Sequence, residues 1–224
     1  MMRVSFLLVL LFLTIHAHSQ DQWRNVYSES AWAGRDSWQK PEVILNQLGC
    51  KAGSRVADVG CHEGYMTIKL SKRVGSAGTV YAVDVDQSKL DKLKGHLEAR
   101  RLSNVMVVKG NLDDPHLPAG ILDAVLILDA YHEMKDHDKI LHHLWVSLKP
   151  GGRLVICEPI AEARRKLVRE GQERKHELAL PFALEDLKKA GFTILFKQDP
   201  FVDREKIKGD KMWIVVATPN PSRQ

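Results

Sequence analysis

Apolar and polar residues follow two different periods along this chain, and the switches between them mark out its elements. Runs rich in β-branched and other apolar residues occur at RVADVG (55–60), TVYAVDV (79–85), NVMVVKG (104–110), LDAVLILD (122–129) and RLVICE (153–158). Each has strand length, and each is nearly continuous in apolar character, as strands buried on both faces are. Between them the period lengthens to that of a helix. Leu90, Leu93 and Leu97 stand at i, i+3 and i+7 behind Ser88 as the expected cap, and Ile140, Leu141, Leu144 and Leu148 repeat the pattern behind Asp136. A further helix is expected from Pro41, whose fixed φ suits a first turn, to about Gly49. Strands alternating with amphipathic helices predict an α/β fold, doubly wound around a parallel sheet.

The rhythm changes towards the carboxyl end. LEDLKKAG (184–191) reads as a helix closing on glycine, then FTILFKQDPF and KMWIVVATP follow as strands joined by the charged loop DREKIKGDK with no helix between. Strands joined that way pair antiparallel. The expectation is a mostly parallel, seven-stranded, Rossmann-like sheet with a C-terminal antiparallel hairpin. It forms one domain over 41–219, after a tryptophan-rich segment at 20–40 and before a tail at 220–224.

Composition adds little to this except at the amino terminus. The 224 residues, 44% hydrophobic and 27% charged, suit one globular domain. Arg3, the apolar run Val4 to Ile15 and Ala17-His18-Ser19 form the pattern of a signal peptide over 1–19. The run is shorter than the roughly 20 residues of a spanning helix. The expected location is therefore outside the cytoplasm, periplasmic or extracytoplasmic, with a membrane-anchored chain as the alternative. Cys50, Cys61 and Cys157 form no CxxC, which disfavours a disulfide scaffold or a cysteine-built zinc site. The net charge of +5 is mild. The most basic stretch, ARRKLVREGQERKHE (163–177), interleaves Glu170, Glu173 and Glu177, so a solvated helix with ion pairs is expected and nucleic-acid binding is not.

Candidate chemistry lies at the strand ends, where ligands bind in open parallel sheets. Asp58 and Gly60 end the first strand, Gly64 opens the next helix and Asp84 ends the second strand, at the spacing of a ribose-binding carboxylate. His62 stands where dinucleotide folds carry a middle glycine, which disfavours a nicotinamide-dependent oxidoreductase. A carboxylate aimed at this turn repels a pyrophosphate and suits a ligand with a cationic end, such as S-adenosylmethionine. His142 and His143 fall on different sides of one helix, and the His137/His142 spacing misses i, i+4, so no metal site is expected there. The tryptophan-rich segment reads either as a lid or as a packed helix.

On VADVGCHEG, VYAVD, KGNLDDPHLP, LILDAYHEM and LKPGGRLVI, in order, the chain resembles the class I S-adenosylmethionine-dependent methyltransferases from about Pro41 to Pro219. The resemblance implies that Asp58, Gly60 and Gly64, with His62 beside them, line the methionine end of the cofactor. It implies that Asp84 takes the ribose, and that Asn111, Leu112 and Asp113 border the adenine. It also implies acceptor-facing residues after the fourth strand. There His132 is expected as a base or acceptor-orienting group, Tyr131 as a wall and Asp129 as a cofactor contact. Plain packing roles for Tyr131 and His132 remain the alternative. The expected partner is a small-molecule methyl acceptor. A non-catalytic nucleoside-binding or partner-binding module on the same fold is the competing reading.

Overall fold

The computed structural model describes residues 26–220 and Ser222. The leader and Trp23 lie outside the described residues. Seven strands form one sheet in the order β3-β2-β1-β4-β5-β7-β6. They are β1 (Arg55–Val59), β2 (Thr79–Asp84), β3 (Val105–Lys109), β4 (Leu122–Leu128), β5 (Leu148–Ile160), β6 (Phe192–Arg204) and β7 (Asp210–Pro219). The first five are parallel, and β7 runs antiparallel between β5 and β6. The expected fold class is therefore the observed one.

Helices α1 (Trp32–Gln39), α2 (Pro41–Leu48), α3 (Tyr65–Val74) and α4 (Gln87–Ala99) precede β3, and α5 (His137–Ser147), α6 (Arg169–Glu173) and α7 (Leu180–Lys189) follow β4. Neighbouring positions along each central strand enter opposite layers. Val125, Ile127, Leu154 and Ile156 join Leu141, Leu144 and Leu187 on one face. Ala124, Leu126, Val155 and Cys157 join Ile44, Leu45, Met66 and Leu70 on the other. Two-sided burial explains why these strands read as unbroken apolar runs. Edge strand β3 is only partly buried.

Three local expectations are corrected. The cap of α4 is Asp86, whose carboxylate accepts from Ser88 N at 2.8 Å, so Ser88 is a partner of the cap and not the cap itself. The segment 163–177 is not one solvated helix. It breaks into a 3₁₀ turn and the five-residue α6, because Gln172 is fully buried and its amide donates to the Arg164, Arg165 and Leu167 carbonyls. Some of its ion pairs are local, such as Arg169 to Glu173, and others reach across the fold, Arg169 to Asp186 and Arg165 to Asp199, both at 2.7 Å. The charged link between β6 and β7 contains a one-turn helix, α8 (Glu205–Lys208), and its flanking Arg204 and Asp210 are buried as a pair. No described helix is long and apolar enough to cross a membrane.

Candidate functional site

Strand β1 lies between β2 and β4, so the order reverses beside it and the chain leaves the sheet in both directions. A crevice opens at such a point, beyond the strand tips. It is a cavity of about 970 Å³, lined on one side by Asp58, Gly60, His62, Glu63 and Asp84. Tyr27, Arg35, Asp129, His132 and Lys208 form part of the opposite wall.

The β1 turn is built by backbone. Gly60 has φ +79°, and a Cβ there would stand 2.5 Å from the Ala130 Cβ, so only glycine lets the tip of β1 meet the loop after β4. His62 is also left-handed, at φ 51°, and its N–H donates to Asp84 Oδ2 at 2.8 Å. The other Asp84 oxygen accepts from Asp86 N at 2.9 Å. The carboxylate is thus fixed across the turn by amides from both sides. Asp58 is buried and accepts from Thr67 Oγ1 at 2.6 Å. Burial pushes its carboxyl up to about 6, although the Thr67 hydrogen bond opposes the shift.

The opposite wall is built by charge. Asp129 has φ 57°, and its Oδ2 accepts from Tyr27 Oη at 2.7 Å and Arg204 Nη1 at 2.9 Å. Arg204 is fully buried and also holds Asp210, while Lys208 reaches the Tyr27 hydroxyl. Burial opposes charge on Asp129, but the Arg204 guanidinium holds it well below the usual carboxylate range. Further round, Glu158 at the end of β5 is fully buried. It accepts from the backbone amides of Ala130 at 2.6 Å, Tyr131 at 2.9 Å and His132 at 3.2 Å. It also holds His132 Nδ1 at 2.5 Å, and His132 Nε2 lies 3.3 Å from Glu133. Burial lowers the affinity of this imidazole for its second proton, but Glu158 outweighs it and the pKa rises to about 10.

Most of the expected site residues therefore meet at one cavity: Asp58, Gly60, His62, Asp84, Asn111, Leu112, Asp129 and His132 all line it. Three do not. Tyr131 is no wall of the site. It is fully buried in the layer under α5 and α7, and its hydroxyl donates to Asp186 at 2.9 Å. Gly64 does not line the cavity. Its φ of +99° and a Cβ position that would run into Leu93 Cδ1 make it a packing glycine under α4. The Asp113 carboxylate faces Lys139 at 3.2 Å, away from the cavity. The expected base role of His132 meets an obstacle, since both ring nitrogens face carboxylates. Its orienting role does not. Tyr27, Arg35, Arg204 and Glu158 were missed. The one legible signal among them was Glu158, an acid closing an apolar strand. From residue 26 on, the tryptophan-rich segment forms a 3₁₀ turn and α1, with Trp32 and Trp38 against the core and Tyr27 on the cavity.

With this geometry established, likeness to known proteins is informative. Residues 56–152 match the family described as methyltransferase domain. The chain is 34% identical over 137 residues to the ubiquinone/menaquinone biosynthesis C-methyltransferase UbiE of Vibrio cholerae, covering 58% of this chain and 51% of that protein. It is 28% identical over 117 residues to the demethylmenaquinone methyltransferase of a Geobacillus species, covering 52% and 50%. The chain thus spans about half the length of the curated relatives it matches. Among solved structures, a SAM dependent methyltransferase from Aquifex aeolicus superposes with a TM-score of 0.71 at 25% identity, over 87% of this chain and 95% of that one. Residues 56–152 thus match a methyltransferase domain, and by sheet order and these likenesses the chain has the fold of the class I S-adenosylmethionine-dependent methyltransferases. S-adenosylmethionine is the cofactor that this class uses. The close Gly60 approach and the amide-fixed Asp84 carboxylate on one crevice fit it.

Proposed function

We propose that the chain transfers a methyl group from S-adenosylmethionine to a small-molecule acceptor, and that the acceptor is an electron-rich hydroxylated ring of the quinol class, methylated at carbon. The observation that carries methyl transfer is the meeting of the β1, β2 and β4 tips on one cavity, with Asp84 held by two backbone amides at its rim. The acceptor class rests on the relatives named for quinone C-methylation. When bound, the cofactor would supply a methyl group made electrophilic by sulfonium: the methyl–sulfur bond breaks to leave S-adenosylhomocysteine, and the ring carbon gives up its proton to water. Asp84 would take the ribose hydroxyls, Asp58 the ammonium group and Asn111 with Leu112 the adenine edge. Tyr27 and Arg35 would close the methionine end against water, which strengthens every charge interaction inside. His132, anchored by Glu158, would orient the acceptor, because in-line displacement gains most from holding the reacting atoms in contact.

Calorimetry with S-adenosylmethionine tests the cofactor, and mass spectrometry of reduced quinones incubated with the chain tests the acceptor. A ring that gains one methyl group is the expected outcome. A donor affinity weaker than millimolar favours the second reading, a non-catalytic module. That reading draws on His62, which occupies the left-handed turn with its ring 5.9 Å from that of Tyr27. We also propose, from the leader alone, that the chain works outside the cytoplasm. The donor is made in the cytosol and is too polar to cross a bilayer unaided, so an exported enzyme needs a transporter for it. The amino-terminal mass of the chain from fractionated cells tests location, and an uncut terminus in the cytosolic fraction would end the idea.

A further inference from the structure

One cluster on the cavity wall has no part in holding the cofactor. His132 Nε2, a Glu133 carboxylate oxygen and a ring nitrogen of His176 all lie within 4.8 Å of one another, and all three residues line the cavity. Glu133 bridges the two histidines: it hydrogen-bonds to His176 Nδ1 and lies 3.3 Å from His132 Nε2. The rings of His132 and His176 face each other edge-on, with centroids 6.0 Å apart.

We propose that His132 Nε2, the Glu133 carboxylate and His176 Nδ1 form a binding site for a divalent transition-metal ion, with open positions facing the cavity for water or an oxygen donor of a small molecule. Three features support it. The first is the support of His132: its Nδ1 is bound to the buried carboxylate of Glu158, which directs Nε2 outward. A metal-binding histidine characteristically has its far nitrogen held by a carboxylate in this way, which sets its tautomer and ring plane. The second is the mounting of His176. It has φ 57°, a left-handed conformation uncommon outside glycine and asparagine, on a loop pinned by buried Gln172 before it and buried Glu177 after it. Glu177 is itself locked by Arg164 Nε at 2.7 Å and Ala161 N at 3.1 Å. The loop is tied down on both sides of His176, while the paired His176 and Glu133 side chains are 74% and 57% exposed, so an ion can reach them from solvent.

The third feature is the donor set. Two imidazoles and one carboxylate suit zinc, cobalt, iron or manganese and not magnesium or calcium, which prefer all-oxygen cages. Three protein ligands with the remaining positions open is the arrangement of a working site, not a closed structural one. The sequence hides it because His176 is 43 residues from Glu133, and the histidines that attracted notice, at 137, 142 and 143, are elsewhere. The ion site does not depend on methyl transfer.

The full chain, stripped with chelator and kept free of S-adenosylmethionine, is titrated with Co²⁺ and followed by visible absorption, then competed with Zn²⁺ and Mg²⁺. One Co²⁺ per chain is expected, with absorption well above that of the aqueous ion, displaced by Zn²⁺ and untouched by Mg²⁺. His176→Ala and Glu133→Gln, both on exposed side chains, are each expected to weaken binding at least about tenfold with the far-ultraviolet spectrum unchanged. His142→Ala is expected to bind as the parent does. Absorption no stronger than that of the aqueous ion, or a His176→Ala chain that binds as tightly as the parent, overturns the site. A chain that binds Co²⁺ but not S-adenosylmethionine overturns methyl transfer alone.

Discussion

The two walls of the cavity are made in opposite ways. The β1 turn uses backbone: a glycine that admits close approach, left-handed His62 and amides that fix one carboxylate, all within residues 58–86. The opposite wall uses side-chain charge gathered from far apart. Tyr27, Asp129, Arg204 and Asp210 make one network, and His132 with Glu158 makes another. The first wall needs little beyond local conformation to hold its shape. The second stands only because each buried charge has a partner, since an unpaired charge in the interior is costly. A nucleoside is the same in every member of such a class, so a local motif suffices to hold it. The surface facing a variable acceptor is assembled from segments that share no motif.

Breaking the charged wall should have the largest effect. Arg204→Leu leaves buried Asp210 without its guanidinium and Asp129 with only Lys208 at 3.9 Å, and is expected to cost about 3–5 kcal/mol, read from the urea midpoint. Loss of less than about 1 kcal/mol would show that the network is better solvated than its burial implies. Next is the backbone wall. Gly60→Ala forces a Cβ against Ala130 at a left-handed position, with an expected cost of about 2–3 kcal/mol and loss of cofactor binding. An unchanged stability would mean that the two loops stand further apart than described.

Smaller still is Asp84→Asn, which keeps the shape and removes the charge. Cofactor affinity is expected to fall roughly tenfold by calorimetry, and an unaltered affinity would remove Asp84 from the ribose role. The gentlest probe is pH. Burial moves the Asp58 carboxyl from 3.8 up to about 6, so between those values the native state holds a proton that the unfolded chain has released. The stability from this group is full below 3.8 and is lost as pH rises through about 6. Cofactor affinity runs the other way, because an ammonium group favours the ionised carboxylate, and binding should tighten as pH rises through that window. Asp58→Asn should flatten both profiles. Persistence of either slope in the variant assigns the titration to another group.

Legibility followed the same division. The strands at 55–60, 79–85 and 122–129, the helix from Pro41 and the terminal hairpin were readable because each is set by local periodicity. The reading failed wherever a residue's role depends on a distant neighbour. Gly64 looked like a ligand glycine, yet the constraint on it is Leu93. Tyr131 sits one residue before a cavity histidine, yet its hydroxyl is committed to Asp186, 55 positions away. The link DREKIKGDK reads as a charged loop, and nothing local reveals that its arginine would neutralise an aspartate 75 residues earlier.

By itself the sequence determined the sheet, its two apolar faces and the glycine turn, because hydrophobic period and backbone freedom are properties of short stretches. Only the tertiary structure decided which charges pair, which of the strand-end residues face the cavity and where His176 meets His132. Those depend on distances between segments far apart along the chain, and Coulomb and hydrogen-bond energies act through space, not along the sequence.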